Sequence, residues 1–115
     1  MSDTDVAEGP LPVGIATSTG PVALVGQARI LPGKEAEFER LVRSILPKIR
    51  QEDGNVHYTV NRSHEDASTY LIYEEWENGA SVVKHVQQPF MAEYFGQVPG
   101  LVAPGADAPG WSSPL

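Results

Sequence analysis

Residues 69–76, TYLIYEEW, make a strand-length run that is apolar on both of its faces. Tyr70 and Ile72 project to one side and Leu71 and Tyr73 to the other. A strand half-buried on a sheet alternates apolar with polar residues, and this one does not. Both faces therefore need a cover. A chain of 115 residues holds one modest core, so its own helices can cover only one of them. The segment PVALVGQARI, residues 21–30, begins in the same two-faced way.

The rest of the chain supplies the elements around these strands. Phe38, Leu41, Val42, Ile45, Leu46 and Ile49 recur at helical spacing and form a full amphipathic stripe. Pro47 falls inside it and should kink the helix or tighten its last turn. Asp53-Gly54 ends it, with Gly54 suited to a left-handed position. NVHYTVNR, residues 55–62, alternates, with Val56, Tyr58, Val60 and Arg62 on one face. The polar turn SHEDAS joins it to the two-faced strand as a hairpin. Asn78 is a plausible N-cap for a second helix carrying Val82, Val83, His85 and Val86, and Pro89 restarts a helical face with Phe90, Met91, Tyr94 and Phe95. A short last strand is expected around Leu101-Val102.

The order β-α-β-β-α-β is the ferredoxin-like split βαβ order, an α+β fold with a four-stranded antiparallel sheet and helices on one face. The domain is expected at 21–104, between a flexible arm at 1–20 with no core of its own and a Pro/Gly-rich tail at 105–115. The uncovered sheet face, with Ala23, Val25, Leu71 and Tyr73, is too apolar for a lone soluble chain, so a homodimer with two sheets face to face is expected.

Composition narrows the function. A net charge of −7 leaves no basic stripe for phosphates, which argues against nucleic acid and against anionic membranes. With no cysteine, thiol chemistry and Cys-ligated metals are excluded, and a reducing cytoplasm is expected. The N-terminus does not read as a signal peptide, and no apolar run approaches a bilayer span. There is no dinucleotide fingerprint, phosphate-binding loop or nucleophile elbow. His57, His64 and His85 lack metal-ligand spacing. No cofactor and no metal are expected.

The run Gly54 to Ser63, the segment YLIYEEW at 70–76, and Ala80 with His85 together resemble the antibiotic biosynthesis monooxygenase family of dimeric α+β barrel proteins, over about residues 21–95. The resemblance implies cofactor-independent oxidation of a phenol, quinol or anthrone-like compound by O2. Anthrone oxidisers of that family use a tryptophan at the place of Trp76. Their polar partners fall here at Arg62 and Ile72, and their helix-two tyrosine falls at Val82, so that set does not match residue by residue. The axial histidine of haem-degrading relatives falls at about Phe95, which cannot ligate iron.

Each candidate carries a functional and a structural reading. Trp76 is a wall that stacks an aromatic substrate, or a core aromatic whose N–H finds an acceptor. Glu74 is a base in a partly dry pocket, or a partner of Arg62 across the hairpin. Arg62 stabilises an oxyanion, or completes that pair. His85 is the proton acceptor, or a satisfied core histidine. Tyr58, Ile72, Val82 and Tyr94 line the substrate pocket beside Trp76, or simply pack. The functional set describes a monooxygenase acting on a small aromatic substrate and O2. The alternative is a non-catalytic small-molecule-binding or accessory protein of the same fold that holds an apolar metabolite in the same pocket, a reading favoured by the polar partners lost at Ile72 and Val82.

Overall fold

The computed structural model of the chain describes residues 11, 14–104 and 110–115. Strand β1 (Val22–Arg29) leads through a tight turn into helix α1 (Glu35–Arg50); β2 (Asn55–Arg62) and β3 (Thr69–Trp76) follow as a hairpin. Helices α2 (Gly79–Val86) and α3 (Pro89–Gln97), a single 3-10 turn and a short β4 (Gly110–Ser112) complete the order. The sheet is ordered β2-β3-β1-β4, with all three neighbouring pairs antiparallel. This is the expected ferredoxin-like α+β arrangement.

The apolar stripe forms α1 as the spacing requires, burying Phe38, Val42, Ile45 and Ile49. Acidic Glu35 and Glu37 open it and basic Lys48 and Arg50 close it, each at the end of the helix dipole that favours its charge. The helix runs on through Pro47 to Arg50, so the proline sits within the last turn and removes one i→i−4 bond. Gly54 follows with φ +86°, the left-handed conformation that only glycine adopts without strain. Asn78 caps α2 as expected, its Oδ1 accepting the Ser81 N–H at 2.9 Å.

Helices and strands share two adjoining cores. One holds Val22, Ile45, Ile49, Tyr58, Trp76, Val82, Met91 and Phe95; the other holds Ile30, Phe38, Val42, Tyr70 and Leu101. Leu46, Val60 and Tyr94 pack against both.

Four local expectations are corrected. The strand β4 lies at 110–112, and Val102 makes only an isolated bridge to Ile30. Val56 does not share the face of Tyr58: the register shifts between Asn55 and His57, and Val56 is exposed. One extra residue in a strand reverses the alternation around it. Ala23 is buried, at its pairing with Ser112 of β4. The segment before β1 does contribute to the core, since Ile15 is buried against the first cluster. Its chain lies so close to α2 that a Cβ on Gly79 would fall 1.5 Å from the Ile15 carbonyl oxygen. Residues 1–10 and 12–13 of the expected arm and 105–109 of the expected tail lie outside the described residues.

The remaining face of the sheet is as expected. Val25 is 61% exposed, Leu71 48% and Tyr73 36%, all on the side away from the helices. Among the described residues, no helix is long and apolar enough to cross a membrane.

Candidate functional site

Period-2 geometry puts Glu74 and Trp76 on the helix side of β3. Glu74 lies opposite Leu24 of β1 and Tyr58 of β2, and Trp76 opposite Val22. Both are buried under the helices, Trp76 completely. The indole Nε1–H donates to Glu74 Oε1 at 2.9 Å, so a rigid aromatic plate and a carboxyl group are fixed to each other across two residues of one strand.

The inner face of α2 carries Val82, His85 and Val86. That spacing turns the imidazole onto the indole, with ring centroids 4.6 Å apart and an interplanar angle of 36°. Tyr58 is the second aromatic neighbour of the imidazole, its ring centroid at 5.8 Å and tilted by 57°. His85 Nδ1 is 2.7 Å from Glu52 Oε2, a carboxylate in the turn after α1. The ring is 1% exposed, and its Nε2 has no hydrogen-bond partner among the described residues. Buried polar atoms are almost always paired, so this nitrogen calls for an explanation.

Burial pushes the Glu74 carboxyl above its ordinary value near 4.5. The imidazole, the indole N–H and a hydrogen bond from Tyr58 pull the other way, and the nearby Glu52 adds to the rise. The protonated form is therefore favoured by folding. Its contribution to stability is complete below pH 4.5 and is lost as pH rises through the elevated folded-state value. Glu74→Gln keeps an oxygen for the indole and removes the titration. The stability of native protein relative to Glu74→Gln is expected to fall steadily with pH above 4.5, measured by urea unfolding across the range. A difference that does not change with pH contradicts a buried, titrating Glu74.

The structure thus brings together Tyr58, Glu74, Trp76 and His85, with Val82 fully buried beside them. It adds Glu52, which the sequence reading missed because the contact joins residues 33 apart through a turn. It does not bring in Arg62. The expected Arg62–Glu74 pair is absent because Arg62 lies opposite Tyr70 while Glu74 lies opposite Tyr58. Four residues of strand separate the two positions, roughly 13 Å. Arg62 pairs instead with Glu39 of α1, which also accepts the Tyr70 hydroxyl at 2.6 Å. Ile72 is half-buried on the helix side of β3 opposite Val60, and Tyr94 packs edge-on against Phe95. The surroundings of Trp76 are filled with side chains. The open cleft under the helices lies at the Arg62 end, lined by α1, β2 and β3.

A two-layer α+β protein with a buried imidazole–indole–carboxyl group beneath its second helix is the class that fold and site define. The sequence matches the antibiotic biosynthesis monooxygenase family over residues 21–97, and the chain belongs to that family. An uncharacterised protein of Synechocystis is 28% identical over 87 residues, covering 76% of this chain; the matched region spans 59% of that relative's length. Among solved structures, a conserved protein of Methanosarcina mazei superposes with a TM-score of 0.77 at 20% identity, covering 84% of this chain and 95% of its own. A protein of Caulobacter crescentus, provisionally assigned as an antibiotic biosynthesis monooxygenase, superposes with a TM-score of 0.78 at 20% identity, covering 84% and 92%. A Mycobacterium tuberculosis protein gives 0.77 at 21% identity, covering 84% and 96%. At these identities the structural likeness shows the fold alone.

Proposed function

We propose that the chain is a cofactor-independent oxygenase that oxidises a small phenolic, quinol or anthrone-like compound with O2, using His85 as its base. The observation that carries this reading is the unpartnered, buried Nε2 of a ring whose Nδ1 is held by Glu52. A proton on Nδ1 donating to the Glu52 carboxylate leaves a lone pair on Nε2, oriented and shielded from water. Trp76 beneath the ring supplies a flat wall for an aromatic substrate.

With an anthrone, Nε2 takes a proton from the activated CH2 carbon. The resulting anion passes one electron to O2, and the carbon radical and superoxide combine to a peroxide, protonated from His85. Loss of the second C–H proton with the O–O bond gives the ketone and one water. One O2 is consumed per CH2 converted to C=O, and no external reductant is needed. The protein's part is orientation, dryness and stabilisation of charge.

Because Nε2 is buried, substrate enters only by displacing part of its wall. The segment 14–18, which lies outside sheet and helices and packs Ile15 on the same core while its Ser18 carbonyl accepts the Gly79 N–H at 2.9 Å, is the part proposed to move. The test is O2 uptake by the purified protein with dithranol or a quinol. Uptake above buffer that tracks protein concentration supports the reading, and uptake equal to buffer ends it.

The same proposal includes a homodimer packed through the exposed face of Val25, Leu71 and Tyr73. A charge at its centre leaves an unpaired ion in a dry interface. Leu71→Asp is therefore expected to weaken the dimer by roughly a hundredfold or more. Sedimentation should then find monomers at micromolar concentration where native protein is dimeric; a monomeric native protein contradicts the dimer.

A further inference from the structure

The open cleft at the far end of the helix layer has no part in the chemistry proposed for His85. Its volume is about 140 Å³, well below that of a drug-sized pocket and suited to one ring with a small substituent. Its floor is apolar, made by Val42 and Leu46 of α1 and Val60 of β2. Its rim is charged. Arg43 Nη2 donates to Glu39 Oε1 at 3.1 Å, and Arg62 Nε donates to Glu39 Oε2 at 3.0 Å. The Tyr70 hydroxyl donates to the same Oε2. Hydrogen bonds from Tyr70 and then Arg62 lower the Glu39 carboxyl from its ordinary value, which favours the ionised form. Two guanidinium charges against one carboxylate leave one positive charge in surplus, in a chain whose net charge is −7.

We infer that this cleft binds a small organic carboxylate bearing one flat ring, with the ring on Val42, Leu46 and Val60 and the carboxylate on Arg43 and Arg62. The planar guanidinium fork matches a carboxylate, and both arginine side chains, though tied to Glu39, are more than half exposed and accessible to a ligand. An apolar floor beside a cationic rim selects an amphipathic anion over a bare ion. Glu39 already sits where a ligand carboxylate would compete, so it limits affinity as well as holding Arg62 in place.

The full chain is titrated with benzoate by calorimetry and by NMR shift mapping. Saturable binding is expected, with shifts centred on Val60 and Arg62. Benzyl alcohol, which keeps the ring, and inorganic phosphate, which keeps the charge, should each bind at least roughly tenfold more weakly. Arg62→Gln should weaken benzoate by a similar factor. Glu39→Gln, which removes the competing carboxylate, should tighten it several-fold. The opposite signs separate recognition from general damage, and far-ultraviolet circular dichroism checks the fold of both variants. The inference is overturned if benzoate does not saturate, if either control compound binds as well as benzoate, if the two variants leave the affinity unchanged, or if the shifts centre on His85. The readout is equilibrium binding, so failure of the oxygenase reading does not alter it.

Discussion

His85→Ala is expected to lower O2-dependent turnover of an anthrone or quinol by roughly 10²–10⁴-fold, the range in which a positioned general base contributes. The expectation follows from position. Among the described residues, Nε2 of His85 is the buried side-chain nitrogen or oxygen left without a partner, and it lies on the ring that stacks on Trp76. Glu52 acts through His85 and is a positioning residue, its carboxylate 2.7 Å from Nδ1. Glu52→Gln removes the charge but keeps an oxygen able to accept the Nδ1–H. It should lose less than His85→Ala and should move the pH dependence of turnover, because the imidazolium formed during the reaction loses its counter-charge. A Glu52→Gln enzyme with reduced rate but an unchanged pH profile would show that Glu52 only packs.

Trp76→Ala is the variant expected to damage the fold most. The indole is fully buried in the first core, and truncating a buried aromatic costs about 3–5 kcal/mol. The substitution also takes the N–H donor at 2.9 Å from the Glu74 carboxyl, which keeps the hydrogen bond from Tyr58; a lost buried hydrogen bond costs a further 0.5–1.5 kcal/mol, roughly. The sum is comparable with the whole stability of an ordinary domain, about 5–15 kcal/mol. The melting temperature should fall by at least roughly 15 °C, if the variant folds at all. Trp111→Ala is the internal comparison. That indole is only partly buried on the three-residue strand β4, and its loss should lower the melting temperature far less. Equal effects of the two substitutions would contradict the central place given to Trp76.

The sequence made some of this legible and hid the rest for identifiable reasons. Helix α1 and the two-faced β3 could be read because periodicity reports which face a residue takes. The same periodicity placed Glu74, Trp76 and Arg62 on the helix side, and that much holds: Glu74 and Trp76 are buried there, and Arg62 reaches Glu39 of α1. It does not report where along the sheet two residues meet. The hairpin register sets Arg62 opposite Tyr70, and a glutamate 23 residues earlier takes the guanidinium. Glu52 belongs to no apolar pattern and no motif, and only the path of the chain after α1 brings it to His85. Val56 was misplaced because a bulge breaks the alternation on which the reading relied. The strand at 110–112 was hidden among glycines and prolines, where pairing to β1 rather than local propensity makes the strand. Ile15 has no periodic neighbours, and its burial depends on the close approach that Gly79 permits.

The most direct measurement is made without oxygen. Purified protein and dithranol are mixed anaerobically near neutral pH, and the absorbance of the substrate anion is followed before any electron can leave for O2. The expected result is an anion band stoichiometric with native protein and absent with His85→Ala, followed by oxidation when O2 is admitted. Equal anion formation with both proteins, or oxidation that proceeds without the imidazole, contradicts His85 as the base and removes the ground for the oxygenase.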